Sequence, residues 1–191
     1  MKKVVSLLFV VLILSACGKN AEEYKGELQD VVDRMLENTA DAEEIVNSYS
    51  DVWRHSIESR GAIPVAEMAE TTGLEQDVIQ EYFVINPAGN IPDDFSLNVQ
   101  SLNSYYQESG DLERIKEASD EIQSKINELN NPPAEFEKVY DEVLDMYTYA
   151  EQYIEMALNP TGSLQSFNEE KNQLTSEILS KYKRVEAIMP E

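Results

Sequence analysis

The chain contains one cysteine, one histidine and one tryptophan in 191 residues. A lone cysteine allows no internal disulfide, so stability has to come from packing. A lone histidine, His55, excludes a multi-histidine metal centre and leaves any catalytic triad one candidate base. Basic residues are scarce too, with 15 Lys and Arg against 37 Asp and Glu, for a formal net charge of −22. Nucleic-acid binding depends on Lys and Arg displacing counterions from phosphate, which argues against such a partner. Anionic lipid headgroups would also repel the folded body, over about 8 Å at physiological ionic strength. The acidic surface favours cationic partners or divalent cations in general terms, or is simply a solvated face.

Motifs that carry chemistry are missing as well. There is no Asp-x-Asp-x-Asp-Gly calcium loop, no glycine-rich phosphate loop and no Gly-x-Ser-x-Gly elbow. Adjacent acids such as Glu22-Glu23, Glu43-Glu44, Asp93-Asp94 and Glu169-Glu170 follow from abundance alone and imply no acid and base pair. The chain therefore reads as non-catalytic, with no metal site expected.

One long apolar run is present, from Val4 to Leu14, interrupted only by Ser6 and preceded by Lys2 and Lys3. Spanning a bilayer of about 30 Å takes about 20 apolar residues, so the run reads as the core of an export signal. It ends in Leu14, Ser15 and Ala16 followed by Cys17: a branched apolar residue, two small residues and cysteine. On these residues the chain resembles bacterial lipoproteins processed by signal peptidase II. The resemblance implies a signal over 1–16 and cleavage before Cys17. It also implies a diacylglyceryl group on the Cys17 sulfur, with N-acylation of the same residue as a further step, and no other cofactor. The protein would then sit on the extracytoplasmic face of the cell membrane. Two acyl chains anchor stably where one is marginal, since each buried CH₂ contributes about 0.8 kcal/mol. Cleavage there removes Lys2 and Lys3 and no acid, taking the charge from −22 to −24.

The remaining region, 17–191, is long enough for one domain with a real core, and its periodicity is helical. From about 21 to 59, Leu28, Val31, Val32, Met35, Leu36, Ala42, Ile45, Val46, Tyr49, Val52, Trp53 and Ile57 form one stripe, ended by Gly61 and Pro64. A second helix opens near Gly110-Asp111 and carries Leu112, Ile115, Ala118, Ile122, Ile126 and Leu129. Pro132-Pro133 is expected to start a third, capped by Asn131, because proline is tolerated in the first turn. Its stripe is Phe136, Val139, Tyr140, Val143, Leu144, Tyr147, Ala150, Ile154 and Ala157. After Asn159-Pro160 and Gly162-Ser163, a fourth helix carries Leu164, Phe167, Leu174, Ile178, Tyr182, Val185 and Ile188. No alternating strand pattern competes. The fold class expected is all-α, an extended antiparallel bundle of about four long helices. In its Pro-Pro start and its Asn-Pro-Thr-Gly-Ser-Leu turn, 131–190 resembles small helical lipoproteins of Gram-positive bacteria, which implies a fold and a location but no activity.

The segment 62–107 stands apart, broken by Pro64, Gly73, Pro87, Gly89 and Pro92. It reads as an insertion of short helices between long ones. Thr72 and Glu75 give a capping-box signal before Leu74, Val78, Ile79, Tyr82 and Phe83. Asp93 or Asp94 caps another helix with Phe95, Val99, Leu102 and Tyr106. The insertion is either a contact surface for a partner or a hairpin covering one end of the bundle. Ala69, Gly73 and Ile79 match helix-turn-helix spacings, yet Glu75, Asp77 and Glu81 stand where a nucleic-acid reader carries basic side chains.

Among single residues, His55 shares a helix face with Asp51, a pairing that a solvated helix explains. Trp53 is core, packed against the insertion, or a ligand platform. Tyr140 and Tyr147 belong to the buried stripe, and Tyr149 and Tyr153 are expected to form a small exposed patch. Together these features predict a protein-interaction module of the cell envelope, held to the membrane by lipid and meeting an envelope protein rather than nucleic acid. The alternative is a solute- or metal-binding lipoprotein that feeds a transporter.

Overall fold

The computed structural model describes residues 20–191. The signal segment, Leu14, Ser15, Ala16 and Cys17 lie outside the described residues. The fold is all-α: seven helices and two three-residue strands among the described residues.

Helix α1 (Ala21–Glu58) runs almost as the apolar stripe requires, from the Asn20 cap, whose Oδ1 accepts from Glu23 N at 2.8 Å. Its buried face includes Leu28, Val31, Met35, Ala42, Ile45, Tyr49 and Trp53. Tyr24, which the spacing did not include, is buried as well, whereas Ile57 is 54% exposed. By that point the stripe has drifted off the packed side of the helix.

The insertion is more structured than its breakers suggest. Strand β1 (Ala62–Pro64) and strand β2 (Asn90–Pro92) pair antiparallel, with Ile63 opposite Ile91. Both isoleucines are fully buried. Three-residue strands that each end in proline are too short to show alternation, which is why no strand was expected here. Between them lie α2 (Val65–Thr72) and α3 (Gln76–Tyr82). Thr72 does not start a helix; it ends α2, and Gly73 adopts the left-handed conformation at φ 72° that closes the last turn. Helix α3 begins after Glu75 with no side-chain cap. Asp94 caps α4 (Phe95–Glu108), accepting from Leu97 N at 3.1 Å.

Helix α5 (Asp111–Glu128) follows after the single turn at Ser109-Gly110, with Gly110 at φ 85°. Together α4 and α5 descend along α1: Asn98 bonds Ser56, Asn103 bonds Tyr49, Asn38 bonds the Ile115 carbonyl, Arg34 pairs with Glu121, and Tyr24 bonds the Leu129 carbonyl.

Helix α6 (Glu137–Leu158) starts later than Pro132-Pro133 would set it, and Asn131 does not cap it. A residue before proline is pushed out of the α region, and Pro132 lies outside the helix. Phe136 N then bonds Pro133 O, and the Phe136 ring is buried against Tyr24 at 5.2 Å before the helix begins. Asn131 bonds Asn130 instead. Helix α7 (Leu164–Ile188) opens with the Ser163 and Ser166 capping box. Leu144 and Ile188, placed in stripes by spacing, are exposed, while Met146, Tyr153 and Met156 are buried. Helices α6 and α7 are locked by Lys181, whose Nζ lies 3.1 Å from Glu142 Oε2 and 2.6 Å from Asp145 Oδ2.

Candidate functional site

The site that the fold builds is a cleft of about 450 Å³ where α4 meets the connection between α6 and α7, with Trp53 of α1 as its floor. Phe95, Val99 and Asn103 recur at every fourth position of α4, and Ser96 and Gln100 form the adjacent row, so one side of one helix supplies most of the wall. The Asp94 cap fixes where that row begins. Opposite stand Asn159, Pro160, Thr161 and Gly162. Proline at 160 disfavours helix at Asn159 and ends α6 there. Gly162 has φ 97°, and a Cβ on it would lie 3.0 Å from Ser166 Oγ, so the turn needs glycine.

Trp53 is buried, with Phe95 stacked on it at 6.0 Å and 13° and Phe167 tilted against it at 5.8 Å. Of the three readings open for Trp53, core packing against the insertion describes it. The ring that reaches solvent is Phe95, 43% exposed at the mouth of the cleft.

Asn103 is held from beneath. Its Nδ2 donates to Tyr49 Oη at 2.9 Å and toward Leu158 O at 3.4 Å, while Tyr49 Oη donates to Ala157 O at 3.2 Å. Tyr49 is fully buried, and burial holds its phenol well above the ordinary value. The chain of bonds ties α1, α4 and the end of α6 together under the cleft. Within the described residues, no hydrogen bond uses the side chains of Ser96, Gln100 or Thr161.

No charged side chain lines this cleft, whereas four other surface depressions each carry charge. The one between α1 and α5, for example, holds Arg34, Asp41, Arg114 and Glu121, already joined in ion pairs. The sequence carries a signal for this contrast that periodicity did not reveal. Segments 95–107 and 156–168 are each thirteen residues without Asp, Glu, Lys or Arg, in a chain that is 27% charged. The fold brings part of each, 95–103 and 158–162, together across the cleft.

The single residues resolve individually. Asp51 pairs with Arg54 and not with His55. His55 turns toward α2, its Nε2 3.5 Å from Glu67 Oε1 without the alignment of a hydrogen bond. Helices α2 and α3 do form a helix-turn-helix unit, with Met68 and Ile79 buried and Glu67, Glu70, Glu75, Asp77 and Glu81 exposed. Tyr153 does not share an exposed patch with Tyr149: it is fully buried, and burial pushes its phenol up to about 12. The two share a helix side, but α6 packs against both α1 and α7, which leaves Tyr149 half-buried and covers Tyr153 completely. No group of three metal-ligating side chains occurs among the described residues.

Fold and site together define an all-α protein with an uncharged, aromatic-floored cleft. No protein family, curated protein or solved structure matches the chain.

Proposed function

We propose that the protein is a lipid-anchored component of the cell envelope, exposed on the extracytoplasmic face of a Gram-positive membrane, that works by contact and not by catalysis. The observation that carries this reading is the run from Lys2 to Cys17, with Leu14, Ser15 and Ala16 placed for cleavage before the cysteine. The body, 17–191, is one domain, an antiparallel bundle of four long rods in which α4 and α5 in line make the second. Contacts of Tyr24, Arg34 and Tyr49 at successive levels along α1 support that arrangement.

Three residues from Cys17 to Asn20 reach at most about 10 Å, and the 38 residues of α1 extend about 57 Å. With α1 upright on the membrane, Tyr24, Leu129 and Phe136 lie at the anchored end and the two strands with α2 and α3 at the far end, from which α4 runs back along α1; an envelope partner meets 62–107 on that side. Lipid confinement raises the effective concentration of that surface. Its acids make nucleic acid a poor partner.

Membrane fractionation of wild type and Cys17→Ala, with intact mass of the mature chain, tests the anchor. A diacylglyceryl mass on Cys17 and release of the variant are the expected results; an unmodified cysteine or unchanged fractionation overturns the reading. Crosslinking in intact cells with and without 62–92 tests the contact surface, and identical partners from both exclude it.

A second reading, capture of a small solute for a transporter, is favoured by one observation: the cleft is concave and uncharged, and the Gln100 amide and the Ser96 and Thr161 hydroxyls in its wall make no hydrogen bond within the protein.

A further inference from the structure

We infer that the cleft between α4 and the α6–α7 connection binds a neutral saccharide of one or two rings, seated on Phe95 and hydrogen-bonded by Ser96, Gln100, Asn103 and Thr161. The inference names the ligand class for the solute-capture reading and rests on that reading, but not on the lipid anchor.

Charge decides the class first. An ionic ligand buried in this cleft would meet no counter-charge among its lining side chains, and an unpaired buried charge is strongly disfavoured. A chain at −22 would additionally repel phosphates and carboxylates. Cations would be drawn to the carboxylates of the other depressions, not to amides inside this one.

Hydrogen-bonding capacity then separates a polyol from an apolar ligand. Asn and Gln amides and Ser and Thr hydroxyls each offer donors and acceptors, and a sugar hydroxyl does the same, so each can meet the other in either sense. With Asn103 Nδ2 engaged by Tyr49 and Leu158, its Oδ1 is the atom left to accept from a ligand. An apolar ligand would leave Asn103 Oδ1 and the polar groups of Ser96, Gln100 and Thr161 desolvated without partners.

The aromatic pair supplies the other half. A pyranose has a face of C–H groups and a rim of hydroxyls; Phe95 presents a plate 43% exposed and braced from behind by Trp53, and the amides form the rim. A volume of about 450 Å³ lies within the range of small-ligand sites and has room for one or two such rings. The bonds from Tyr49 to Asn103 and Ala157 fix the wall before any ligand arrives, which reduces the ordering cost of binding.

Trp53 is the sole tryptophan and lies on the cleft floor, so its emission reports occupancy. The full chain, in a detergent without a sugar headgroup, is titrated with N-acetylglucosamine, its β-1,4 dimer and maltose, and separately sedimented with purified peptidoglycan. A saturable change in Trp53 emission with a small saccharide, or cosedimentation with the polymer alone, supports the inference and tells a free solute from a wall glycan. In either case Phe95→Ala and Gln100→Ala, read by calorimetry or sedimentation, should weaken binding about tenfold or more with helical content unchanged. Glu121→Gln, in the α1–α5 depression, should leave it unchanged. Binding that survives both α4 substitutions overturns the inference. If no saccharide binds but an amino acid or dipeptide does, in a Phe95-dependent way, the saccharide assignment fails and solute capture stands. If none of these probes binds, both fail.

Discussion

Replacing Tyr49 by Phe removes one oxygen from the interior and nothing else. The ring keeps its place, including its edge contact with Tyr106 at 5.8 Å. What is lost is the bond from Tyr49 Oη to Ala157 O at 3.2 Å and the one it accepts from Asn103 Nδ2 at 2.9 Å. Ala157 lies in the last turn of α6, where carbonyls have no intrahelical partner, so its oxygen is left buried and unmatched. Asn103 keeps only the longer bond to Leu158 O. A typical buried hydrogen bond contributes about 1 kcal/mol net, and an orphaned buried acceptor costs about 1–3 kcal/mol, so the expected loss is about 2 kcal/mol. In a chain of this size that lowers Tm by about 4–8 °C. Urea unfolding should show a lower midpoint at unchanged slope, the signature of lost stability without altered compactness. A double-mutant cycle with Asn103→Ala should give a coupling of about 0.5 kcal/mol or more. A loss below about 0.5 kcal/mol, or no coupling, would refute the claim that these bonds hold α1, α4 and α6 together.

Gly73→Ala should cost about 1 kcal/mol from backbone strain alone, because φ is 72° and no atom lies within 4 Å of the added Cβ; Gly73→Asn should cost less, and equal stability of all three in thermal melts would contradict this. Lys181→Ala should destabilise by about 1 kcal/mol, since its side chain is mostly covered and bridges Glu142 and Asp145, whereas Lys116→Ala, exposed beside Asp120, should stay within about 0.5 kcal/mol; similar effects by chemical denaturation would undo the distinction. Burial raises the phenols of Tyr24 and Tyr153 from 10 to about 12, so the stability they confer is complete below about pH 10 and is lost as pH rises toward 12. Melting temperature measured with tyrosinate absorbance should therefore decline only above about pH 10, and an earlier decline would place the cause elsewhere.

Three long helices could be read from residue spacing because each buries one continuous stripe along most of its length. The limits of α1, α5 and α7 follow from apolar steps of three and four and from glycine and proline at the ends, while the caps at Asn20 and Ser163 are visible only in the structure. The start of α6 was not legible, because Phe136 packing against Tyr24 overrides the helix-starting tendency of Pro132-Pro133. The β1–β2 ladder escaped for a related reason: Ile63 and Ile91 are 28 positions apart, and neither shows a pattern until the other is beside it. Tyr153 looked exposed on a helix treated as one-sided, and it is buried because α6 packs against both α1 and α7.

The amino-acid sequence alone determined the helical class and the strongly acidic character of the chain, because composition and local periodicity act over a few residues at a time. Tertiary structure alone decided that two uncharged segments sixty-one positions apart, at 95–107 and 156–168, would close around Phe95 and Trp53. A cleft is a relation between distant surfaces, and the physical reason it forms here is that the apolar faces of α1, α4 and α6 can be buried only together.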